Sequence, residues 1–258
     1  MKILLGIVGQ YRTFEKTYSN IYENLINANP EHEFDIILNT DFENKNVGNN
    51  WNIPGKQYIN YDMENLHNKF DKCYVNNLIK IINYNVNDYD IKNGAFEIFK
   101  KRINITCDFI KDNLLDTYQL YIFLRFDVFF PNKINLEKYL NNSFNFICGV
   151  PTHDSRIDHH KDWDFCWIFS DLLYNDYFNG KYAADYIVKD NLSVNELLEF
   201  SININFKTGY TNLVKEKDHV FEHWVKNFWI IFYNMYQNKC LINFDEEYYT
   251  EIQRRYLP

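Results

Sequence analysis

Hydrophobic positions along the first half of the chain switch between two spacings, one of strands and one of helices. "KILLGIV" is a compact apolar run, read as a strand from Ile3 to Val8. A glycine turn leads into "GQYRTFEKTYSNIYENLI", where Phe14, Tyr18, Ile21, Tyr22 and Leu25 recur at helical spacing. "EFDIILNTD" repeats the strand signal at Phe34 to Leu38 and ends on polar Asn39, Thr40 and Asp41. A long polar stretch follows, "FENKNVGNNWNIPGKQ", without periodicity and long for a plain connection. A helix is expected from Met63 to Asn83. A clear helical stripe then runs through Phe96, Phe99, Ile103, Cys107, Ile110 and Leu114.

That stripe leads into a strand from Tyr121 to Phe130. Short strands are expected at "FNFICGV" and "FCWIFS", with a loop rich in His and Asp between them. "SVNELLEFSININF" reads as a helix capped by Ser193, with Glu196 three residues on to complete a capping box. "HVFEHWVKNFWIIFYNMYQ" is aromatic on nearly every side and fits either a buried helix or a strand pair. Strands alternating with helices predict an α/β fold with a mostly parallel sheet flanked by helices, and less regular additions in the C-terminal half. No Pro/Gly/Ser linker divides the chain, so residues 1–258 are expected to form a single domain.

Composition narrows the function. Asparagine is abundant, at 37 residues, and is read as a compositional bias rather than a sign of function, so the Asn-rich stretches are given little weight. A net charge of −8 argues against nucleic acid as the main partner, because phosphate neutralisation needs a clustered basic surface. It leaves room for a small anionic ligand held by one or two arginines. Cys73, Cys107, Cys148, Cys166 and Cys240 are spread out with no CxxC pair. They predict reduced, mostly buried thiols and a cytosol-like compartment rather than a disulfide framework or zinc site. The N-terminus lacks the long apolar stretch of a signal peptide, and no run is long enough to span a membrane.

The stretch "YQLYIFLRFDVFFPN" poses the sharpest question, because Arg125 and Asp127 interrupt what reads as a core strand. Buried charge is costly unless it is paired or used. One answer is an ion pair satisfying itself within the core. The other is that the strand ends near Leu124, placing both residues at its carboxyl end, where open α/β sheets bind ligands. The second is favoured, since a central strand otherwise needs apolar groups on both faces.

Gly9, Gln10 and Arg12 closing a first strand, a second strand ending in Thr-Asp, and then helix, Tyr, apolar strand and Arg-x-Asp together resemble nucleotide-sugar glycosyltransferases of the GT-A fold. The pattern is most similar to poorly characterised viral and bacterial capsule-type members, over roughly residues 1–170. The resemblance implies transfer of a sugar from a nucleoside-diphosphate donor, UDP- or GDP-linked, to a carbohydrate acceptor. It further implies a nucleotide-binding half at 1–130, an acceptor-side half at 131–258, and a location in the cytoplasm, or in a host cytoplasm or virion for a viral protein. Such enzymes carry Asp-x-Asp at this strand end, where a carboxylate holds a divalent cation bridging the donor phosphates. Here Arg125 replaces the first Asp and Asp127 matches the second. Asp127 then holds Mn2+ or Mg2+, or Arg125 itself neutralises the phosphates without metal.

The same resemblance makes Gly9, Gln10 and Arg12 a nucleotide cradle, against an ordinary strand-to-helix turn. It sets Thr40 and Asp41 against the base or ribose, against a plain polar strand end. "THDSRIDHHKDWDF" packs three His and four Asp beside Trp163, Phe165 and Trp167. Asp162 and Asp164 are its candidates for taking the acceptor hydroxyl's proton, Asp164 preferred for its place at the strand start. His219 and His223, four apart, offer a late metal ligand, with His219 the candidate. Two alternatives stand beside the transferase. A sugar nucleotidyltransferase would show a Gly-rich, Lys/Arg-containing phosphate loop, of which "GQYRTFEK" is a poor version. A non-catalytic carbohydrate- or nucleotide-binding protein on a degenerate scaffold would explain the loss of the first Asp.

Overall fold

A computed structural model of the chain describes residues 1–11, 14–41, 77–84, 95–114, 118–141, 144–151, 162–172 and 242–252. Eight strands form one sheet: β1 Lys2–Val8, β2 Glu33–Thr40, β3 Leu78–Asn83, β4 Leu120–Arg125, β5 Val128–Phe129, β6 Phe144–Pro151, β7 Asp162–Phe169 and β8 Ile242–Ile252. Their order is β3-β2-β1-β4-β7-β6-β8-β5. β1 lies between β2 and β4, parallel to both, and β3 extends the parallel half beside β2. Beyond β4 the sheet becomes mixed. β7 runs antiparallel to β4 and β6, β6 is parallel to β8, and the short β5 is antiparallel to β8. The fold is α/β with a mostly parallel, Rossmann-like sheet, as the alternating pattern predicts.

The two described α-helices cover opposite faces. α1 (Phe14–Ile21) continues into a π-helical turn at Tyr22–Ile26. Its Phe14 and Ile21, with Leu25, pack on Ile3, Leu5 and Ile7 of β1, Phe34, Ile36 and Leu38 of β2, and Leu120, Ile122 and Leu124 of β4. α2 (Ala95–Asn113) lies over the alternate residues. There Phe99 meets Trp167 edge-on with ring centroids 5.1 Å apart, and Phe123 packs against Phe169 at 5.5 Å. Burial on both faces is why β1 and β4 read as continuous apolar runs. Gly6 serves this second face, since a methyl there would come within 2.6 Å of the Phe123 ring.

Two expectations are corrected. Residues 78–83 are a strand, not the end of a helix. LIKIIN is rich in β-branched Ile and pairs with β2 at the sheet edge, where Lys80 and the partly exposed Ile79 are tolerated. The rest of the 63–77 helix expectation lies outside the described residues except Asn77. The strand from Tyr121 to Phe130 breaks at a turn, Phe126–Asp127, because Phe126 leaves the pleat to bury its ring edge-on against Phe14 at 5.2 Å. Several of the asparagines hold backbone in place. Asn20 both donates to Phe130 O (2.9 Å) and accepts from Phe130 N (2.7 Å), and Asn24 donates to the same carbonyl at 2.8 Å. Asn29 donates to Leu25 O and Ile134 O and accepts from Leu136 N. Backbone that leaves the ladder after β4 must find partners elsewhere, and these amides supply them.

β8 was not anticipated from the pattern, since INFDEEYYTEI carries an acidic cluster in mid-strand. The expected helix at Ser193 and the aromatic segment 219–237 lie outside the described residues.

Candidate functional site

Register brings the ends of three strands onto one line. Val8 is opposite Asn39 of β2 on one side and Arg125 of β4 on the other. From β1 the chain moves outward to β2 and β3, then returns to β4 on the opposite side of β1. The carboxyl ends of β1 and β4 therefore flank a topological switch point, the place where open α/β sheets bind ligands.

Gly9 is the first residue past β1. Its φ of +130° is open to glycine but strained for other residues. Its amide donates to Asn39 O at 2.9 Å, and among the described residues, its chain neighbours aside, no heavy atom lies within 4 Å of where a Cβ would stand. Conformation, not crowding by the described residues, calls for glycine here. Half-buried Gln10 follows. Tyr11 is buried against Phe14 and Phe126, with ring centroids 5.5 and 6.4 Å away. Arg12 lies outside the described residues. Thr17 of α1 donates to Phe126 O at 2.6 Å, which fastens this helix to the turn after β4.

β4 ends at Arg125, so Arg125 and Asp127 do stand at a strand's carboxyl end. They also form the ion pair of the simpler reading. Arg125 Nε donates to Asp127 Oδ1 at 2.8 Å and Nη2 to Oδ2 at 2.7 Å. This two-point contact sets the plane of the guanidinium. The Asp127 side chain is 2% exposed and that of Arg125 15%. A divalent cation on this carboxylate would meet the guanidinium already clasping both oxygens, and like charges repel. Among the described residues, no group of three or more His, Cys, Asp or Glu is arranged to hold a metal. The described residues alone do not fit a divalent centre. His219 lies outside them.

Thr40 and Asp41 stand at the carboxyl end of β2, both buried. Thr40 Oγ1 has no hydrogen-bond partner among the described residues. Asp41 Oδ2 approaches Nη2 of Arg102, from α2, to 2.6 Å, with side-chain exposures of 4% and 1%. The two atoms are not aligned as a hydrogen bond, so their attraction is that of an ion pair. Arg102 Nη1 also donates to Asn39 Oδ1 at 3.1 Å, and Asn39 Nδ2 donates to Arg102 O and Thr106 Oγ1, each at 3.1 Å. The Tyr84 ring, just past β3, has its centroid 5.3 Å from the guanidinium carbon.

Asp162 and Asp164 fall within β7 rather than in the loop before it, because the strand begins at Asp162. Cys166 is opposite Leu124 and Asp162 opposite Gly149. Since β7 runs antiparallel to β4, its first residues extend past Leu124, toward the edge where Arg125 lies. The backbone thus brings Gly9, Gln10, Thr40, Asp41, Arg125, Asp127, Asp162 and Asp164 to one end of the sheet.

Arg102 was not singled out from sequence. Its signal was its spacing: with Thr106 it follows Phe99 at intervals of three and four, alongside the apolar stripe of α2. A charged residue that shares a buried stripe needs a partner.

No protein-family model matches the chain, and no curated protein matches its sequence. Among solved structures, the chain is similar to a nucleoside-diphosphate-sugar pyrophosphorylase from Vibrio cholerae RC9. That similarity has a TM-score of 0.42 and 10% identity, and covers 95% of this chain and 91% of that one. The chain is also similar to the mannosyltransferase Ktr4p from S. cerevisiae, with a TM-score of 0.34 and 13% identity, over 57% of this chain and 38% of that one. Likeness at this level says nothing about what this chain acts on. Among the described residues, no helix is long and apolar enough to cross a membrane.

Proposed function

We propose that the chain is a nucleotide-sugar enzyme, a glycosyltransferase moving a sugar from a nucleoside diphosphate to a carbohydrate acceptor. One observation carries this: the candidate residues from β1, β2, β4 and β7 share a single end of the sheet, around the β1–β4 switch point. The diphosphate lies over the open backbone at Gly9, with Gln10 and Arg12 beside it. Thr40 and Asp41 receive the nucleoside end. Arg125, its plane fixed by Asp127, faces the charge that develops on the leaving diphosphate, where a positioned donor is worth most. Asp164, or Asp162, takes the proton of the acceptor hydroxyl as that oxygen attacks the sugar carbon. Arg125 supplies positive charge at the place where Mn2+ or Mg2+ is otherwise expected, so donor binding survives removal of divalent cations.

A thermal-shift series with nucleoside diphosphates and nucleotide-sugars, each with manganese, magnesium or EDTA, tests this. A ligand that binds only the folded chain raises its melting temperature by mass action. The expected result is a shift with one sugar-nucleotide that persists in EDTA and is lost in Arg125→Met. Loss of the shift in EDTA would return the phosphates to a cation. Formation of a nucleotide-sugar from a nucleoside triphosphate and a sugar phosphate would make the chain a nucleotidyltransferase. Absence of any nucleotide shift would leave a non-catalytic scaffold.

A further inference from the structure

We propose that Arg102 of α2 is a positioning residue for the ribose of the donor, acting through Asp41; this deepens, and rests on, the nucleotide-sugar reading above. Arg102 is 1% exposed on a helix whose other buried residues are Phe99, Ile103, Thr106, Cys107 and Ile110. Arginine is among the residues least often fully buried, and a buried pair replaced by apolar side chains of similar volume usually leaves a core as stable or more so. Packing alone therefore gives no reason for an ion pair here. Its place does, because Asp41 is the first residue past β2, at the same edge as Gly9 and Arg125.

The guanidinium is fastened at three points. Asp41 Oδ2 lies 2.6 Å from Nη2, Asn39 Oδ1 accepts from Nη1 at 3.1 Å, and the Tyr84 ring centroid is 5.3 Å from its carbon. Asn39 is held in turn by the Arg102 carbonyl and the Thr106 hydroxyl. With the guanidinium held in this way, its charge draws the Asp41 carboxylate toward one direction at the carboxyl end of β2. A carboxylate accepts hydrogen bonds and does not donate them, which suits a vicinal diol. In dinucleotide-binding α/β folds an acidic side chain takes a ribose hydroxyl in this way. Arg102 supplies what such an acid needs to discriminate: a fixed direction.

The test is calorimetric titration of the full chain with UDP, GDP, ADP and CDP, and with the 2′,3′-dideoxy form of whichever binds tightest. Hydrogen bonds to a charged group predict that the wild type prefers the ribose form on the order of tenfold to a hundredfold. Arg102→Lys keeps the charge but loses the planar fork. It is expected to erase most of that preference by weakening the ribose form while dideoxy binding stays as in the wild type, which also shows the variant to be folded. Asp41→Asn does the same, and the double variant adds nothing further, as expected for residues acting as one unit. Wild-type preference in either single variant, equal weakening of both ligands, or additive effects would overturn the role of Arg102 while leaving nucleotide binding intact. A wild type that binds both forms equally overturns it as well. A wild type that binds no nucleoside diphosphate overturns the nucleotide-sugar reading and this role with it.

Discussion

The two ends of the sheet hold similar chemistry under opposite conditions. At the amino end, Lys2 Nζ lies 3.2 Å from Asp35 Oδ2, with side chains 30% and 24% exposed. Tyr118 donates its hydroxyl to the same oxygen at 2.8 Å, Lys2 lies over the Tyr118 ring, and Lys2 N donates to Gln119 Oε1. This cluster ties together the starts of β1, β2 and β4 within reach of water. At the carboxyl end, Arg102–Asp41 and Arg125–Asp127 are almost withdrawn from solvent. A fold closes its strand ends cheaply with wetted pairs, as the amino end does. Burying two ion pairs at the other end costs desolvation that strand closure does not require. That asymmetry is the physical ground on which the carboxyl end is proposed as the working one.

The largest expected effect breaks the buried side of this contrast. Arg102→Met leaves the Asp41 carboxylate buried without its countercharge, a loss of about 3–5 kcal/mol for pairs of this kind. Adding Asp41→Leu removes the stranded charge and is expected to restore most of that stability, while abolishing any ribose preference. Urea unfolding of the wild type and the two variants measures both steps. A single-variant cost no larger than that of a surface pair would mean that the carboxyl end is wetter than its geometry implies, and the asymmetry would vanish.

A second prediction sharpens the comparison through pH. Cys166 of β7, opposite Leu124 just inside the carboxyl edge, is fully buried, and burial pushes its thiol well above the ordinary value of 9.0. The folded chain therefore keeps a proton that the unfolded chain gives up above that pH. Stability from this source is complete below about pH 9 and declines as pH rises further, by at most about 2 kcal/mol near pH 10.5, at roughly 1.4 kcal/mol per unit. Tyr121, whose hydroxyl is also shifted upward, chiefly by burial, adds to the same alkaline decline. Melting temperatures from pH 7 to 10.5 for the wild type and Cys166→Ala should converge at the alkaline end. Parallel curves would show that the thiol does not titrate with unfolding. Alkylation of Cys166 is expected only after denaturation.

Much of the fold was legible because both faces of β1, β2 and β4 are covered, so their apolar runs have little competing explanation. β3 was misread because an edge strand shows its Lys and Asn to solvent, and LIKIIN fits a helical stripe as well as a pleat. The end of β4 was legible from Arg125 and Asp127, since charge in a core run forces a choice, and the structure shows both the ion pair and the strand end. What a linear pattern does not carry is a partner distant in sequence. Arg102 and Asp41 lie 61 positions apart, and only the packing of α2 on β2 joins them. The asparagines misled for the opposite reason. Their abundance hid the few, Asn20, Asn24, Asn29 and Asn39, whose amides satisfy buried backbone and side chains.

The smallest expected effect falls at the amino end, and its smallness is what the comparison needs. Lys2→Met removes an ion pair that water already screens, and pairs of this exposure contribute less than about 1 kcal/mol. The methionine stem still covers the Tyr118 ring, while Asp35 keeps the tyrosine hydroxyl and its access to solvent. No charge is stranded, so the desolvation that makes Arg102→Met severe has no counterpart here. Raising salt to 1 M should leave the variant's deficit near zero, since the Debye length then falls to about 3 Å. The Arg102→Met deficit should persist in the same salt because its charges are out of reach of ions. Urea unfolding of both variants at low and high salt measures the difference directly. Equal salt sensitivity in the two would place both pairs in the same dielectric, and the division of the sheet into a structural and a working end would fail.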